Sequence, residues 1–223
     1  YDKNGNLVAQ VDAAGRRTEY EYDELDRRTH TRTAVGTPVE AYEETQYDKG
    51  NNITWKRDTG GRWTCYEYDP KTNLICRIIS AYGTADQRVV EYAYDKYGNR
   101  TWEIEGNRRT RFEYDDLNRL TSVTYGYGSP EAVTNTLGYD AVGNRIEEVD
   151  GRGVITRYFF DALNRLTKIV YALGTPDETT EETGYDPVTG NVDETVDRQG
   201  TRTRYSYDHL GNQTSVIYAV GTD

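Results

Sequence analysis

Five times along the chain a run of alternating residues closes in the same way, as TEYEYD, TCYEYD, RFEYD, TRYFFD and TRYSYD. A period of two marks a strand, and it puts the two aromatics of each run on one face. Tyr20 thus shares a face with Tyr22, Tyr66 with Tyr68, Phe112 with Tyr114, Tyr158 with Phe160, and Tyr205 with Tyr207. Between strand-like segments stand clusters of Asp, Gly and Asn, the residues that punctuate a chain into turns.

The same pieces recur at fixed spacing. Tyr-Asp stands at Tyr1-Asp2, Tyr22-Asp23, Tyr47-Asp48, Tyr68-Asp69, Tyr94-Asp95, Tyr114-Asp115, Tyr139-Asp140, Tyr185-Asp186 and Tyr207-Asp208, and Phe160-Asp161 fills the one gap. Short and long steps alternate, so the repeat is a pair of them, with units 1–46, 47–93, 94–138, 139–184 and a shortened 185–223. Each unit opens with a turn such as DKNGN or DAVGN and a short strand. A second turn follows at Asp12, Asp58, Glu105, Asp150 or Asp197, and then the aromatic strand. A third turn such as DDLNR or DALNR leads to a longer strand, and a fourth such as AVGTP or ALGTP leads to a polar one. Four strands per unit of about 46 residues predict roughly nineteen strands. Hairpins this short cannot bury a face alone, so each must lean on the next. The expected fold is all-β: one elongated hairpin array over 1–223, a β-solenoid or spiralling sheet strip.

Composition refines this picture. Only 35% of the residues are hydrophobic, yet 21 are tyrosines, so tyrosine rings must supply much of the buried surface while their hydroxyls find polar partners. A formal charge of −11, with basic residues scattered singly, argues against a nucleic-acid partner. No window reads as a signal peptide or a membrane-spanning stretch, so no membrane insertion is expected of this segment. The absence of methionine, even at position 1, predicts a piece of a larger protein.

YDxxGN and YDxLNRL at a spacing of just over twenty residues, with the aromatic-x-aromatic-Asp run, resemble the YD repeats of the rearrangement-hotspot (RHS) proteins. These repeats also occur in toxin-complex C components, bacterial polymorphic toxins, wall-associated proteins and teneurins. The resemblance covers essentially the whole chain. It implies a long β-sheet strip that spirals into a hollow shell, usually around a toxic C-terminal domain, and cell adhesion in the teneurins. Two departures stand out. The family's terminal self-cleavage region has no counterpart here, since DPVTGN at 186–191 occupies an ordinary turn slot, and the strict alternation of steps suits a straight fibre as well as a closed shell.

Each candidate for chemistry reads as architecture. Catalysis needs one assembled constellation, whereas Tyr-Asp comes in ten copies of a fragment, so the tyrosines are assigned to strand packing and the aspartates to capping turns. Aspartate accepts backbone N–H groups two or three positions on, and Gly or Asn takes the left-handed conformation that closes the turn. His30 and His209 have no metal-type spacing to Cys or another His. The pairs Glu43-Glu44, Glu147-Glu148 and Glu181-Glu182 match no calcium loop and read as a solvated acidic face. No cofactor is expected. With Asp69 facing Asn73 across their turn, Cys65 opposes Arg77 and Cys76 points to the other face, so a disulfide between them requires a shift of register. Asn52, Asn99 and Asn212 head Asn-x-Thr sequons, which the repeat's own asparagine generates and which become glycosylation candidates in a glycosylating host.

The sequence therefore predicts a non-enzymatic structural protein, secreted or at the cell surface, that builds the wall of a hollow β-shell around a toxin payload. The alternative is an adhesive or filament-forming surface protein. Expected partners are the remainder of the polypeptide or further copies joined through end strands, together with an enclosed toxin domain or a surface receptor.

Overall fold

The computed structural model describes residues 1–218, so the turn that ends the fifth unit lies outside the described residues. These form nineteen β-strands and no helix. The chain divides into two compact units, Tyr1–Thr110 and Arg111–Asp223.

In the first unit β1 (Ala9–Val11), β2 (Arg17–Tyr22), β3 (Arg28–Thr33), β4 (Ala41–Tyr47), β5 (Ile53–Arg57), β6 (Trp63–Tyr68), β7 (Ile75–Ser80), β8 (Arg88–Tyr94) and β9 (Arg100–Glu105) follow one another. Each pairs antiparallel with the next. β10 (Arg108–Tyr114) begins in the last residues of the first unit and runs into the second, where β11 (Leu120–Tyr125), β12 (Val133–Tyr139), β13 (Arg145–Val149) and β14 (Ile155–Phe160) follow. They lead into β15 (Leu166–Tyr171), β16 (Thr179–Tyr185), β17 (Val192–Val196), β18 (Arg202–Tyr207) and β19 (Gln213–Tyr218), in the same meander. Because strands alternate in direction, every second connection falls at the same edge, and within each unit all Tyr-Asp turns share one edge.

Register is set by a feature absent from the sequence reading. In all nine hairpins closed by a Tyr-Asp or Phe-Asp turn, the pairing slips immediately before the aromatic, for example between Glu21 and Tyr22 or between Gly138 and Tyr139. Such bulges insert one unpaired residue and sharpen the local twist. The slip corrects the expectation for the cysteines: Cys65 faces Ile79, and Arg77 faces Glu67. Cys76 falls in the slipped step between Arg77 and Ile75, and both cysteines are free thiols.

The two faces of each sheet differ. One carries the aromatic strands, with Tyr66 opposite Ile78, Phe112 opposite Val123 and Tyr158 opposite Ile169. The other carries cross-strand ion pairs: Arg77 lies between Glu67 and Glu91, Arg157 meets Glu147, and Lys168 meets Glu182. Exposed pairs of this kind add about 0–1 kcal/mol each. On that face of the first unit Trp55, Cys65, Ile79 and Val89 line up across four strands, with Trp63 and Tyr82 edge-on to Trp55. Burial is shallow throughout. Among the described residues only Cys65, Ile79, Ser122, Val123 and Val170 are buried, and no side chain falls below 2% exposure. With burial this shallow, turns and cross-strand pairs are what hold the strands of each unit together.

Candidate functional site: the Tyr-Asp edge

The turn at Asp140 shows the basic device. Its Oδ1 accepts the backbone N–H of Val142, Gly143 and Asn144 at 2.8–3.0 Å, and its Oδ2 accepts the Asn144 side-chain amide at 2.9 Å. The backbone closes the same loop, with Asp140 N–H donating to Asn144 O and Gly143 N–H to Asp140 O. Gly143 sits at φ +104°, where a side chain would be strained. At Asp161 the equivalent positive-φ residue is Asn164 at 60°, and Arg165 Nε replaces the amide on Oδ2 at 2.7 Å. One carboxylate thus satisfies a whole turn, reaching two and four residues ahead.

Two turns depart from this form in the same way. Asp69 and Asp186 are each followed by Pro and enclose one residue more, so their backbone N–H donates to Leu74 O and Asn191 O. Thr72 and Thr189 supply a hydroxyl to the carboxylate at 3.0 Å in place of the missing side chain. The Asp-Pro of DPVTGN is therefore a longer variant of the turn, matched at Asp69.

Hydrogen bonding holds all ten carboxyls below the ordinary aspartate value. For Asp2, Asp23, Asp48, Asp95 and Asp208 the side chain four residues on contributes most. For Asp69, Asp115, Asp161 and Asp186 a backbone N–H in the turn does. At Asp140 partial desolvation pushes upward and is outweighed by Asn144 and the turn N–H groups. A carboxylate this well satisfied stays ionised and is a poor proton donor.

Several of the tyrosines before an aspartate reach backwards. Hydroxyls of Tyr22, Tyr47, Tyr68, Tyr94, Tyr139 and Tyr185 donate to the carbonyls of Leu7, Arg28, Ile53, Ile75, Leu120 and Leu166 at 2.8–3.0 Å. Each acceptor is the first residue beyond the preceding Tyr-Asp turn. Desolvation raises the phenols of Tyr68 and Tyr94, which keeps them protonated as donors. Phe160 occupies the slot without a hydroxyl.

Neighbouring turns are also clamped to each other, and this the sequence reading missed. Arg27, bound to Asp23, extends to Asp48 O at 3.0 Å and lies over the Tyr47 ring at 4.6 Å. Arg119 repeats this with Asp115, Asp140 O and Tyr139, and Arg165 with Asp161, Gly190 O and Tyr185. The intervening steps use amides: Asn6 donates to Asp26 Oδ1 at 2.6 Å, Asn52 to Asn73 at 2.8 Å and Asn144 to Asn164 at 3.0 Å. The signal lies in Arg27, Arg119 and Arg165, which stand four residues after their aspartates where Asn6, Asn52 and Asn144 stand in neighbouring turns.

A third repeated contact concerns the threonine six residues after the aspartate. Thr29, Thr54, Thr101, Thr121 and Thr167 donate to the carbonyls of Glu21, Gln46, Ala93, Glu113 and Phe159, each just before the bulge. Cys76 takes this role at its turn, its Sγ lying 3.4 Å from Glu67 O. Burial pushes the Cys65 thiol up, away from reactivity. The sequons fall on these contacts: Nδ2 of Asn52, Asn99 and Asn212 is bonded to Asp48, Asp95 and Asp208 at 2.9–3.0 Å. His30 lies in β3 between Glu21 and Glu44, and His209 sits in the turn after Asp208. Among the described residues no group of His, Cys, Asp and Glu is placed to hold a metal ion.

A turn repeated along a sheet edge, each carboxylate engaged by its own turn, defines a β repeat protein. Its family follows from the matches. The chain belongs to the RHS Repeat family, whose pattern matches residues 1–38, 102–130, 139–176 and 185–223, well over half its length. Among solved structures, the TcdB2-TccC3-Cdc42 crystal structure aligns with 96% of the chain at a TM-score of 0.74 and 18% identity. TcdB2-TccC3 alone gives the same coverage and score at 19%. The Tc holotoxin pore of Photorhabdus luminescens covers 93% of the chain at a TM-score of 0.57 and 14% identity. The chain spans only 12–14% of those relatives' own length. No curated protein sequence matches significantly.

Proposed function

We propose that this chain is a wall segment of a secreted or cell-surface shell, a structural element without catalysis of its own, that encloses a toxin payload. The observation carrying this reading is the shallow burial of the strands in each unit, rigidified turn by turn along that unit's Tyr-Asp edge. The fold shared with TcdB2-TccC3 supports it. In such a wall the 223 residues act as one array of units 1–46, 47–93, 94–138, 139–184 and 185–223, continued by the rest of a longer polypeptide and enclosing a toxin domain. The Tyr-Asp pairs serve as its corners and need no cofactor. The near-constant unit length also favours a second reading, an adhesive fibre joined through end strands or bound to a surface receptor. Electron microscopy of the full-length product separates the two: closed particles with internal density are expected, and long uniform filaments would overturn the shell.

A further inference from the structure

The Tyr-Asp edge of the second unit carries a row of apolar side chains that the turns themselves do not require. Two residues after each aspartate stand Leu117, Val142, Leu163, Val188 and Leu210, exposed at 67, 70, 71, 90 and 74%. Only their backbone N–H groups serve the turn, each donating to the aspartate Oδ1. The residues one position earlier are Asp116, Ala141, Ala162, Pro187 and His209. Asp116 is thus the sole Asp, Glu, Lys or Arg among these ten tip residues, in a chain where those four types make up 29%. The corresponding tips of the first unit also expose Leu25 and Tyr97, but set them among Lys3, Glu24, Lys49, Lys71 and Lys96. Charge that keeps an exposed sheet edge apart from others is present there and withheld here.

We propose that this edge is an association surface for a second copy of the chain, tip row against tip row. The tips recur every second strand, about 9.6 Å apart from strand spacing alone. A row with that period finds a matching series of knobs and gaps on another edge of the same repeat, and a two-fold arrangement lets one patch serve both partners. The charged tips of the first unit would leave apolar groups facing lysines, so the contact selects the second unit's edge on both copies. Five such side chains present on the order of 400–500 Å² of apolar surface, roughly half of one partner's share in a standard interface. The contact is therefore weak and concentration-dependent. It holds whether or not the longer protein encloses a payload.

Sedimentation velocity of the 223-residue chain across a wide concentration range tests this, alongside the double variant Leu117→Ser/Leu163→Ser and the single variant Val39→Ser. Val39 is exposed at 74% and lies between β3 and β4, at the opposite edge of the first unit. The wild type should self-associate, the double variant should weaken this at least about tenfold, and Val39→Ser should leave it unchanged, with all three giving the same circular dichroism. A strictly monomeric wild type would overturn the proposal. So would association that persists in the double variant, as end-strand pairing would, or that falls equally in Val39→Ser. A double variant that fails to fold is replaced by Val142→Ser/Leu210→Ser, read by the same criteria.

Discussion

Phe160 offers a gain-of-contact test of the tyrosine tether. Six tyrosines in its slot donate to the carbonyl of the first residue beyond the preceding turn. Tyr22 and Tyr68 reach an acceptor fifteen residues back, and the same offset from Phe160 gives the Arg145 carbonyl. β14 and β15 keep the standard register with its slip before residue 160, so the ring is already placed. Phe160→Tyr adds one hydroxyl at the 2.8–3.0 Å distance seen elsewhere. A neutral hydrogen bond of this kind contributes about 0.5–1.5 kcal/mol net. For a chain of this size about 1 kcal/mol raises Tm by roughly 2–4 °C. The mirror experiment, Tyr139→Phe, removes the bond to Leu120 O and should cost about the same 1 kcal/mol. Both are read as denaturation midpoints, with hydrogen exchange around residues 145 and 146 reporting the local effect. If Phe160→Tyr proves neutral or destabilising while Tyr139→Phe is costly, the offset rule is wrong for that turn. If both are neutral, the hydroxyls contribute nothing to the wall.

Four further outcomes follow from the same contacts. Arg119→Lys keeps the charge but loses the fork joining Asp115 to Asp140 O across the Tyr139 ring, and should cost about 1 kcal/mol in a urea titration; a silent substitution would refute the clamp. Because the folded turn carboxyls lie below their ordinary value of 3.8, the stability they add is complete above that pH and lost as pH falls through the lower folded values. The midpoint should stay level from neutrality down to about pH 5 and fall below about 4, whereas a decline already at pH 6 would implicate other groups. Expression in a glycosylating host should leave Asn52, Asn99 and Asn212 unmodified once the chain is folded, because each amide nitrogen is committed to an aspartate; intact-mass spectra showing glycans would contradict this. Cys76→Thr installs the hydroxyl that five sister turns use and should shift the midpoint by less than about 0.5 kcal/mol, so a large loss would show that the thiol does more than replace it.

Much of the architecture could be read from the residues. The alternation in TEYEYD and TRYSYD places the strands, and the Asp with its following Gly or Asn marks the turns, because both effects act within a few residues. What escaped depends on register. The slip before Tyr68 is invisible in a string of letters, yet it moves Cys65 from Arg77 to Ile79. The clamps of Arg27 on Asp48 O and Asn52 on Asn73 join residues more than twenty apart, which only the pairing of intervening strands brings together. Threonine at 54 or 101 looked like one third of a sequon, and its contact with the carbonyl before the bulge appears only once that bulge exists.

The two kinds of clamp impose a parity on the chain. From Asp2 to Asp69 and again from Asp115 to Asp186 an amide clamp and a guanidinium clamp take successive steps, so within these runs a turn of each kind faces a neighbour of the other. Removing one half-unit would set two like turns side by side, with an arginine aimed where an amide should dock. Removing or duplicating a whole pair within such a run keeps guanidinium facing amide. Within these runs the natural unit of length change is therefore the double turn.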